Sequence, residues 1–451
     1  MYTPHTETEI AEMLAAIGAP SLEALSSPPR GLEIKERLGL PKALAEADAY
    51  AHIKSLADGN AAARTVSFLG AGAYRHYQPP AVPWFATRSE FLTAYTPYQA
   101  EASQGSLQAI FEWQTYICLL TGMDVSNASL YDGATAVVEG VIMAMHATGR
   151  KKVAISQGVH PMYRAVLHTY ANGMGIEVVE LPCASLGVTD LGKARELVDG
   201  ACCTIVQSPN FFGSIEDLQT VSKTAHERGA LSIAVTAEAL SLAVLATPRE
   251  GGADIALGEA QSFGLPLGYG GPYVGFIATT KEHVRRLPGR LVGETTDVDG
   301  RRAFVLTLQG REQHIRRELA SSNICTNQAL CALIATVYLA TVGATGLKAI
   351  AAANLQRSRE LCDALTSITG FSRAFTVPFF NEFTLRTPVP AQQLAARLER
   401  RGILAGPPLS RFYPELTHHL LVCATELTTA DDIRLLAEAM AEETTRAVAA
   451  V

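Results

Sequence analysis

The sequence predicts an α/β protein with three parts. A large domain carries a mainly parallel sheet with helices on both faces, a small α+β domain follows at the C-terminus, and an N-terminal helical arm precedes both. Three observations predict this. From about residue 150, short runs rich in Val and Ile (KKVAIS, GIEVVELP, CCTIVQSP, LSIAVTA, ADIALGEA, YVGFIATT) alternate with helical stretches such as PMYRAVLHTYANG and IEDLQTVSKTAHERG. Strands separated by helices pair in parallel, and the crossover helices then cover both faces. Near the C-terminus the pattern becomes strand (FNEFTLRT), helix (AQQLAARLERRG), strand (HHLLVCATE), helix (TADDIRLLAEAMAEE), enough for a small domain of its own. Residues 1–60 are helical by pattern, before any strand signal.

Taken in order, TETEIAEMLAAIG opens on Thr6 with Glu9 three residues on, a capping-box signature. SSPPRG (26–31) breaks that helix, and PKALAEADAYAHIKSLADGN carries the next. Residues 68–105, FLGAGAYRHYQPPAVPWFATRSEFLTAYTPYQAEASQG, hold Gly, Pro and Tyr at a density that predicts an extended, irregular interface arm. A helix is expected from Ser106 to Thr121. Another, starting at NQALCALIATVYLATVG, bridges the domains. The expected boundaries are 1–67 for the N-terminal arm, 68–325 for the large domain, and 326–451 for the bridging helix and small domain.

Composition narrows the function. With 451 residues, 48% of them hydrophobic and 18% charged, the chain has material for a large core and is unlike a disordered one. A net charge of −7 argues against bulk nucleic-acid binding. No apolar run reaches about 18 residues, and the N-terminus lacks the basic flank and apolar run of a secretory signal, so a cytoplasmic protein is expected. The eight cysteines form no Cys-x-x-Cys pair and sit mostly in apolar strings, which fits free thiols and a reducing compartment. No metal-ligand spacing occurs. The one basic cluster, REQHIRRE (311–318), reads either as a solvated helix face or as a docking surface formed by Arg311, His314, Arg316 and Arg317.

Particular strings carry a resemblance. FLGAGAYRHYQPPAV, AYTPYQAEASQGSLQAIFEWQT, NASLYDGATAVVEG, REQHIRRELASSNICTNQAL and the opening EIAEMLAAIGAPSLEAL are similar to the P-protein of the glycine cleavage system, along essentially the whole chain. The large domain then resembles the fold-type I pyridoxal-phosphate (PLP)-dependent transferases. That P-protein exists as one long chain with two halves of this fold, or as two subunits. The present chain resembles the N-terminal half, hence subunit 1 (alpha) of the split form.

The resemblance implies a shared enzyme. With a beta subunit, the complex decarboxylates glycine on PLP and passes the aminomethyl group to the lipoyl group of H-protein, as a glycine dehydrogenase (aminomethyl-transferring). An α2β2 heterotetramer is implied. In the family the PLP lysine belongs to the other half, in a His-Lys-Thr-Phe-x-x-Pro string. The corresponding run here is AQSFGLPLGYGGP, with Gln261 at the lysine position followed by Ser262, Gly268, Gly270 and Gly271.

The residues themselves support that reading. Forming a covalent imine needs a primary amine, and a carboxamide cannot supply one. No lysine occurs between Lys223 and Lys281. The matching strand end AVTAEAL holds Glu238 but no Asp for a pyridinium proton. The helix that would receive the phosphate opens YDGATAVVEG, where Asp132 suits an N-cap and would repel a phosphate. His160, at the position where these enzymes stack a ring on the cofactor, reads as a structural histidine.

The chain is therefore expected to bind no cofactor and to have no catalytic residue of its own. It is expected to contribute Tyr95, Tyr98, Glu101, Ser103 and Gln104 to the partner's site, with Arg75 and His76 as a second tier. Two alternatives stay open: a non-catalytic scaffold or regulatory pseudoenzyme of this fold, and a stand-alone PLP enzyme using a displaced lysine such as Lys223 or Lys281.

Overall fold

A computed structural model describes residues 4–28, 31–32, 39–92, 95–185 and 187–449. The chain divides into two units, Met1–Ala63 and Arg64–Val451. The first holds α1 (Glu7–Ile17), α2 (Leu22–Leu25) and α3 (Glu46–Asp58). The capping box at the start of α1 is present: Thr6 Oγ1 accepts from the Glu9 N–H, and the Glu9 carboxylate accepts from the Thr6 N–H. The break expected at 26–31 falls partly on residues 29 and 30, which lie outside the described residues.

The second unit opens with β1 (Val66–Ser67), α4 (Ala81–Ala86), α5 (Ser89–Leu92), α6 (Gln104–Thr121), β2 (Val125–Ser126) and α7 (Gly133–Thr148). The alternating region follows: β3 (Lys152–Ser156), α8 (Pro161–Met174), β4 (Glu177–Leu181), α9 (Leu191–Leu197), β5 (Cys203–Gln207), α10 (Leu218–His226), β6 (Leu231–Thr236), β7 (Ile255–Glu259) and β8 (Gly275–Thr279). Next come the hairpin β9 (Val292–Thr296) and β10 (Arg302–Leu306), then α11 (Gln313–Arg316) and α12 (Ala329–Thr366). The chain closes with β11 (Ser372–Arg373), β12 (Glu382–Arg386), α13 (Ala391–Glu399), β13 (Ile403–Leu404), β14 (His419–Cys423) and α14 (Ala430–Ala449).

The seven-stranded sheet has the order β2-β8-β7-β6-β5-β3-β4; β8 runs antiparallel to both β7 and β2, and the remaining pairs are parallel. Side chains alternate between its two faces, as the period of two requires. Ile233, Val235, Ile255, Leu257 and Ile277 pack under α7 and α8. Their neighbours Ala234, Ala256, Phe276 and Ala278 face the other way, onto Trp113 and Ile117 of α6 and Ala335 and Tyr338 of α12. Branched side chains fill one face, whereas small ones on the other make room for aromatic rings. At Gly140 of α7 an added Cβ would come within 2.5 Å of Leu257, so the helix seats on the sheet only without a side chain there.

Helix α12 is broken at Gly343, whose φ of 61° lies outside the helical range. Among the described residues it is the one helix long and apolar enough to cross a membrane by length and composition. Its apolar residues Cys331, Ala332, Ala335, Tyr338 and Leu339 are buried in the core shared with α6, which accounts for that composition. Beyond it, β11, β12 and β14 form an antiparallel sheet under α13 and α14. The parallel pair β1–β13 ties Val66 and Ser67 to this C-terminal layer, and Phe68 is buried in its core.

Segment 68–105 is less irregular than its composition predicts. It contains α4 and α5, nucleated where AVPWFA and SEFL offer a turn of helix between prolines. Helix α6 starts at Gln104, two residues earlier than expected, and the Gln104 side chain reaches back to the Ala100 carbonyl of the preceding turn.

Candidate functional site

The site implied by AQSFGLPLGYGGP lies at the C-terminal end of β7, where parallel sheets place their ligands. Gln261 is buried, and its amide is fully committed. Its Oε1 accepts the Tyr74 N–H at 2.8 Å, and its Nε2 donates to the Tyr74 carbonyl at 3.0 Å and to the Leu265 carbonyl at 2.8 Å. Ser262 is buried beside it, its hydroxyl without a partner among the described residues.

Tyr74 belongs to a segment, Ala71–Gln78, that is held in this cleft along its length. The Nε2 of His160 lies 2.8 Å from the Ala71 carbonyl, while its Nδ1 accepts the Met162 N–H. Those partners assign the proton to Nε2, and burial keeps the ring neutral by lowering its pKa. Gly72 lies against that imidazole with φ 96°; an added Cβ would stand 2.8 Å from the ring. Glu382 accepts the Ala71 N–H at 2.6 Å and the Tyr74 hydroxyl at 2.7 Å, and burial pushes its carboxyl up to about 7. Gln78 reaches the Gly264 carbonyl with its side-chain amide.

His76 sits between two carboxylates, with Nε2 3.0 Å from Glu238 and Nδ1 2.8 Å from Glu426. Burial pulls the imidazole down, but Glu238 and Glu426 outweigh burial and hold it at about 9. It is an imidazolium at neutral pH, donating on both sides. Glu426 accepts the Tyr77 N–H as well, and Asn381 donates to Glu238.

At the start of α7, Asp132 caps the helix through a reciprocal pair with Thr135, as its position predicts. The Gly133 N–H, free to meet an anion at a helix N-terminus, instead donates to the Glu259 carboxylate at 3.0 Å. Glu259 also accepts from the N–H groups of Ala260, Gln261 and Val274. Burial pushes its carboxyl up to about 8, against the pull of those four donors.

Four positions that the resemblance places around a cofactor, Gln261, His160, Glu238 and the N-terminus of α7, are therefore engaged by the chain itself. The lysine position holds Tyr74, the ring-stacking histidine meets Ala71 and Gly72, the carboxylate at the end of β6 pairs with His76, and a carboxylate takes the helix N-terminus. These residues do not fit a pyridoxal phosphate. Of the two flanking lysines, Lys281 is carried away from the cleft by its strand. Because β8 runs antiparallel to β7, Lys281 follows the end of β8 that faces Ile255, about 13 Å of strand away from the Glu259 end. Lys223 lies on α10.

The residues expected to serve a partner divide in two. Tyr95, Tyr98, Glu101 and Arg75 are exposed, the two phenols at 75% and 66%. Tyr95 lines an apolar groove with Leu92, Ile110 and Leu330. Tyr98 lies over the guanidinium of buried Arg290, 5.4 Å from it, and Arg290 also bonds the Thr96 hydroxyl. His76 faces inward to its two carboxylates. Gln104 is a staple: its amide pairs with both the N–H and the carbonyl of Phe304, fixing the arm to β10. Ser103 is half-buried at the start of α6. Loop residues Gly268, Tyr269 and Gly270 are exposed, and positive φ at Gly268, Gly270 and Gly271 shapes the turn.

Sequence reasoning missed Glu259, Glu382, Glu426 and Tyr74. Only Glu259 left a signal: a carboxylate ending an otherwise apolar buried strand needs donors to be there. The eight cysteines are free thiols, with Cys325 exposed. No group of three or more metal-ligating side chains occurs among the described residues.

Residues 1–440 match the sequence profile of the glycine cleavage system P-protein. The chain is similar to probable glycine dehydrogenase (decarboxylating) subunit 1 of Moorella thermoacetica, 51% identical over 97% of this chain and 98% of the relative. It is 49% identical to the protein of the same name from Carboxydothermus hydrogenoformans, over 97% and 99% of the two chains. A crystal structure of glycine decarboxylase (P-protein) in inhibitor-bound form superposes with a TM-score of 0.89 at 47% identity, covering 98% of this chain and 99% of that one. Sphingosine-1-phosphate lyase of Burkholderia pseudomallei, at 13% identity and a TM-score of 0.66 over 92% and 93% of the chains, shares the fold alone. The chain thus has the fold-type I architecture and belongs to the glycine cleavage system P-protein family.

Proposed function

We propose that this chain is the subunit of glycine decarboxylase that holds no PLP and completes the site of a companion subunit that does. The observation that carries the reading is the occupation of the cleft by Ala71–Gln78, anchored where Gln261 pairs with Tyr74. An amine at position 261 would lose the acceptor that the Tyr74 N–H needs, so the missing lysine and the inserted segment belong together.

The work left to this chain is positioning. Tyr95, Tyr98, Glu101 and Arg75 are presented outward on an arm pinned by Gln104 and Arg290. Phenols and a carboxylate held on a rigid support can orient glycine or a lipoyl group in a neighbouring site and exclude water from it. The proposed assembly is an α2β2 heterotetramer in the cytoplasm, with PLP in the beta subunit and the lipoyl group of H-protein as acceptor.

The test is glycine–bicarbonate exchange by each subunit alone and by the mixture, with H-protein and PLP present. Exchange that requires both subunits supports the reading. Full exchange by the companion alone would reduce this chain to a scaffold, and exchange by this chain alone would overturn the proposal.

A further inference from the structure

Outside the cleft, the basic cluster read from the sequence turns out to be part of a concavity. Arg285, Arg286, Arg311 and Arg316 line a recess of about 340 Å³ with His146, Leu319, Ala320 and Ser321. Among the described residues none of these four arginines lies within 4.0 Å of a carboxylate, although ion pairs are common elsewhere on the surface.

A second observation is independent of that charge count. Among the described residues, the Nε and Nη2 of Arg311 are buried without hydrogen-bond partners, and only its Nη1 is engaged, by the Leu287 carbonyl. An uncompensated buried guanidinium is costly, and burial lowers its pKa. The charge of neighbouring Glu312 offsets this only in part and makes no ion pair with Arg311 within 4.0 Å: among the described residues its Oε1 is also buried without a partner, and its Oε2 lies 3.7 Å from His314. Among the described residues, the Arg286 guanidinium makes a hydrogen bond only with the imidazole of His283, at 3.5 Å.

We propose that this recess is a binding site for a small oxyanion of the phosphate class, the size of pyrophosphate. Guanidinium groups present paired N–H donors that match phosphate oxygens, and forks arriving from several elements suit a tetrahedral anion with oxygens on all sides. The recess is concave and falls in the size range of small-ligand sites, whereas an acidic protein face would call for a flatter and wider basic surface. The basic residues form an isolated patch on an acidic chain, which does not suit a nucleic-acid backbone. A seated anion would satisfy the field of Arg311 and hold the short 3-10 turn Arg317–Leu319 against the 3-10 helix Lys281–Arg286 that carries Arg285 and Arg286.

The test uses the full-length chain, with sodium pyrophosphate, sodium phosphate and sodium chloride at matched ionic strength. Calorimetric titration and thermal unfolding should show saturable binding of pyrophosphate, weaker binding of phosphate, and none of chloride. Arg286→Gln and Arg316→Gln, both on the rim, should each weaken pyrophosphate at least about tenfold while leaving the far-UV spectrum unchanged. Stabilisation that tracks ionic strength alone would overturn the proposal. So would binding of a poly-glutamate peptide, abolished by the same substitutions, with no response to pyrophosphate, since that pattern marks a protein-docking face.

Discussion

The side chain of Gln261 and the backbone of Tyr74 form a closed amide pair, with Oε1 accepting the N–H at 2.8 Å and Nε2 donating to the carbonyl at 3.0 Å. Residues 187 positions apart thereby join the glycine-rich loop after β7 to the segment that fills the cleft beside it. The pairing mimics one rung of a sheet ladder, because a carboxamide supplies a donor and an acceptor on adjacent atoms of one planar group.

Gln261→Lys is accordingly expected to restore nothing. The ammonium cannot accept from the Tyr74 N–H, and leaving that donor buried and unpaired costs about 1–3 kcal/mol. Urea unfolding should show the loss, and borohydride treatment in the presence of PLP should leave no pyridoxyl label at the substituted position.

Glu259 caps four backbone N–H groups, with Gly133 on Oε2 and Ala260, Gln261 and Val274 on Oε1. In Glu259→Gln an NH2 faces the Gly133 N–H, or three N–H groups if flipped, so a loss of about 1–3 kcal/mol is expected. Glu259→Ala should cost more, because all four donors lose their acceptor at once. Chemical denaturation of both variants orders the two effects.

How much of this was legible in the sequence follows from the range of each interaction. The alternating strands and the Asp132 cap are local patterns, and each stands in the structure where its residues predicted it. The filling of the cleft was not legible. His76 meets Glu238 and Glu426 across 162 and 350 positions, and such pairings leave no periodic trace. His76 and Gln104, picked from a loop rich in polar residues, are turned inward by bonds to strands and loops far along the chain. Two short helices formed in a segment whose proline content suggested none.

Stability should fall as pH rises from about 6.5 to about 9. The His76 pKa is raised from 6.5 to about 9 in the folded chain, so its contribution is complete below 6.5 and lost as pH passes through 9. Glu259, raised to about 8, acts in the same sense because the folded state holds its proton longer. Glu426, whose carboxyl is lowered against the pull of burial, is ionised in both states across this window and adds no slope. The His76 contribution is on the order of 3 kcal/mol. Denaturant midpoints measured across this range should decline for the parent chain, and the decline should flatten in His76→Asn.

Tyr95 and Tyr98 are exposed and bury little of their surface in their own fold. Tyr95→Ala and Tyr98→Ala should leave the isolated chain within about 1 kcal/mol of the parent, Tyr98 losing only its stacking on Arg290. Association with the companion subunit, read by calorimetry, should weaken by about 1–2 kcal/mol for each, with exchange activity reduced. Gln104→Ala is predicted to behave in the opposite way. It orphans the N–H and carbonyl of Phe304 and should destabilise the chain itself by about 1–2 kcal/mol.

The location of the cofactor is the most direct test of the central claim. The two-subunit complex, reduced with borohydride in the presence of PLP and digested, should yield pyridoxyl-lysine only in peptides of the companion subunit. A stoichiometric pyridoxyl label on Lys223, Lys281 or any other lysine of this chain would show that the cleft opens to a cofactor, and would contradict the account.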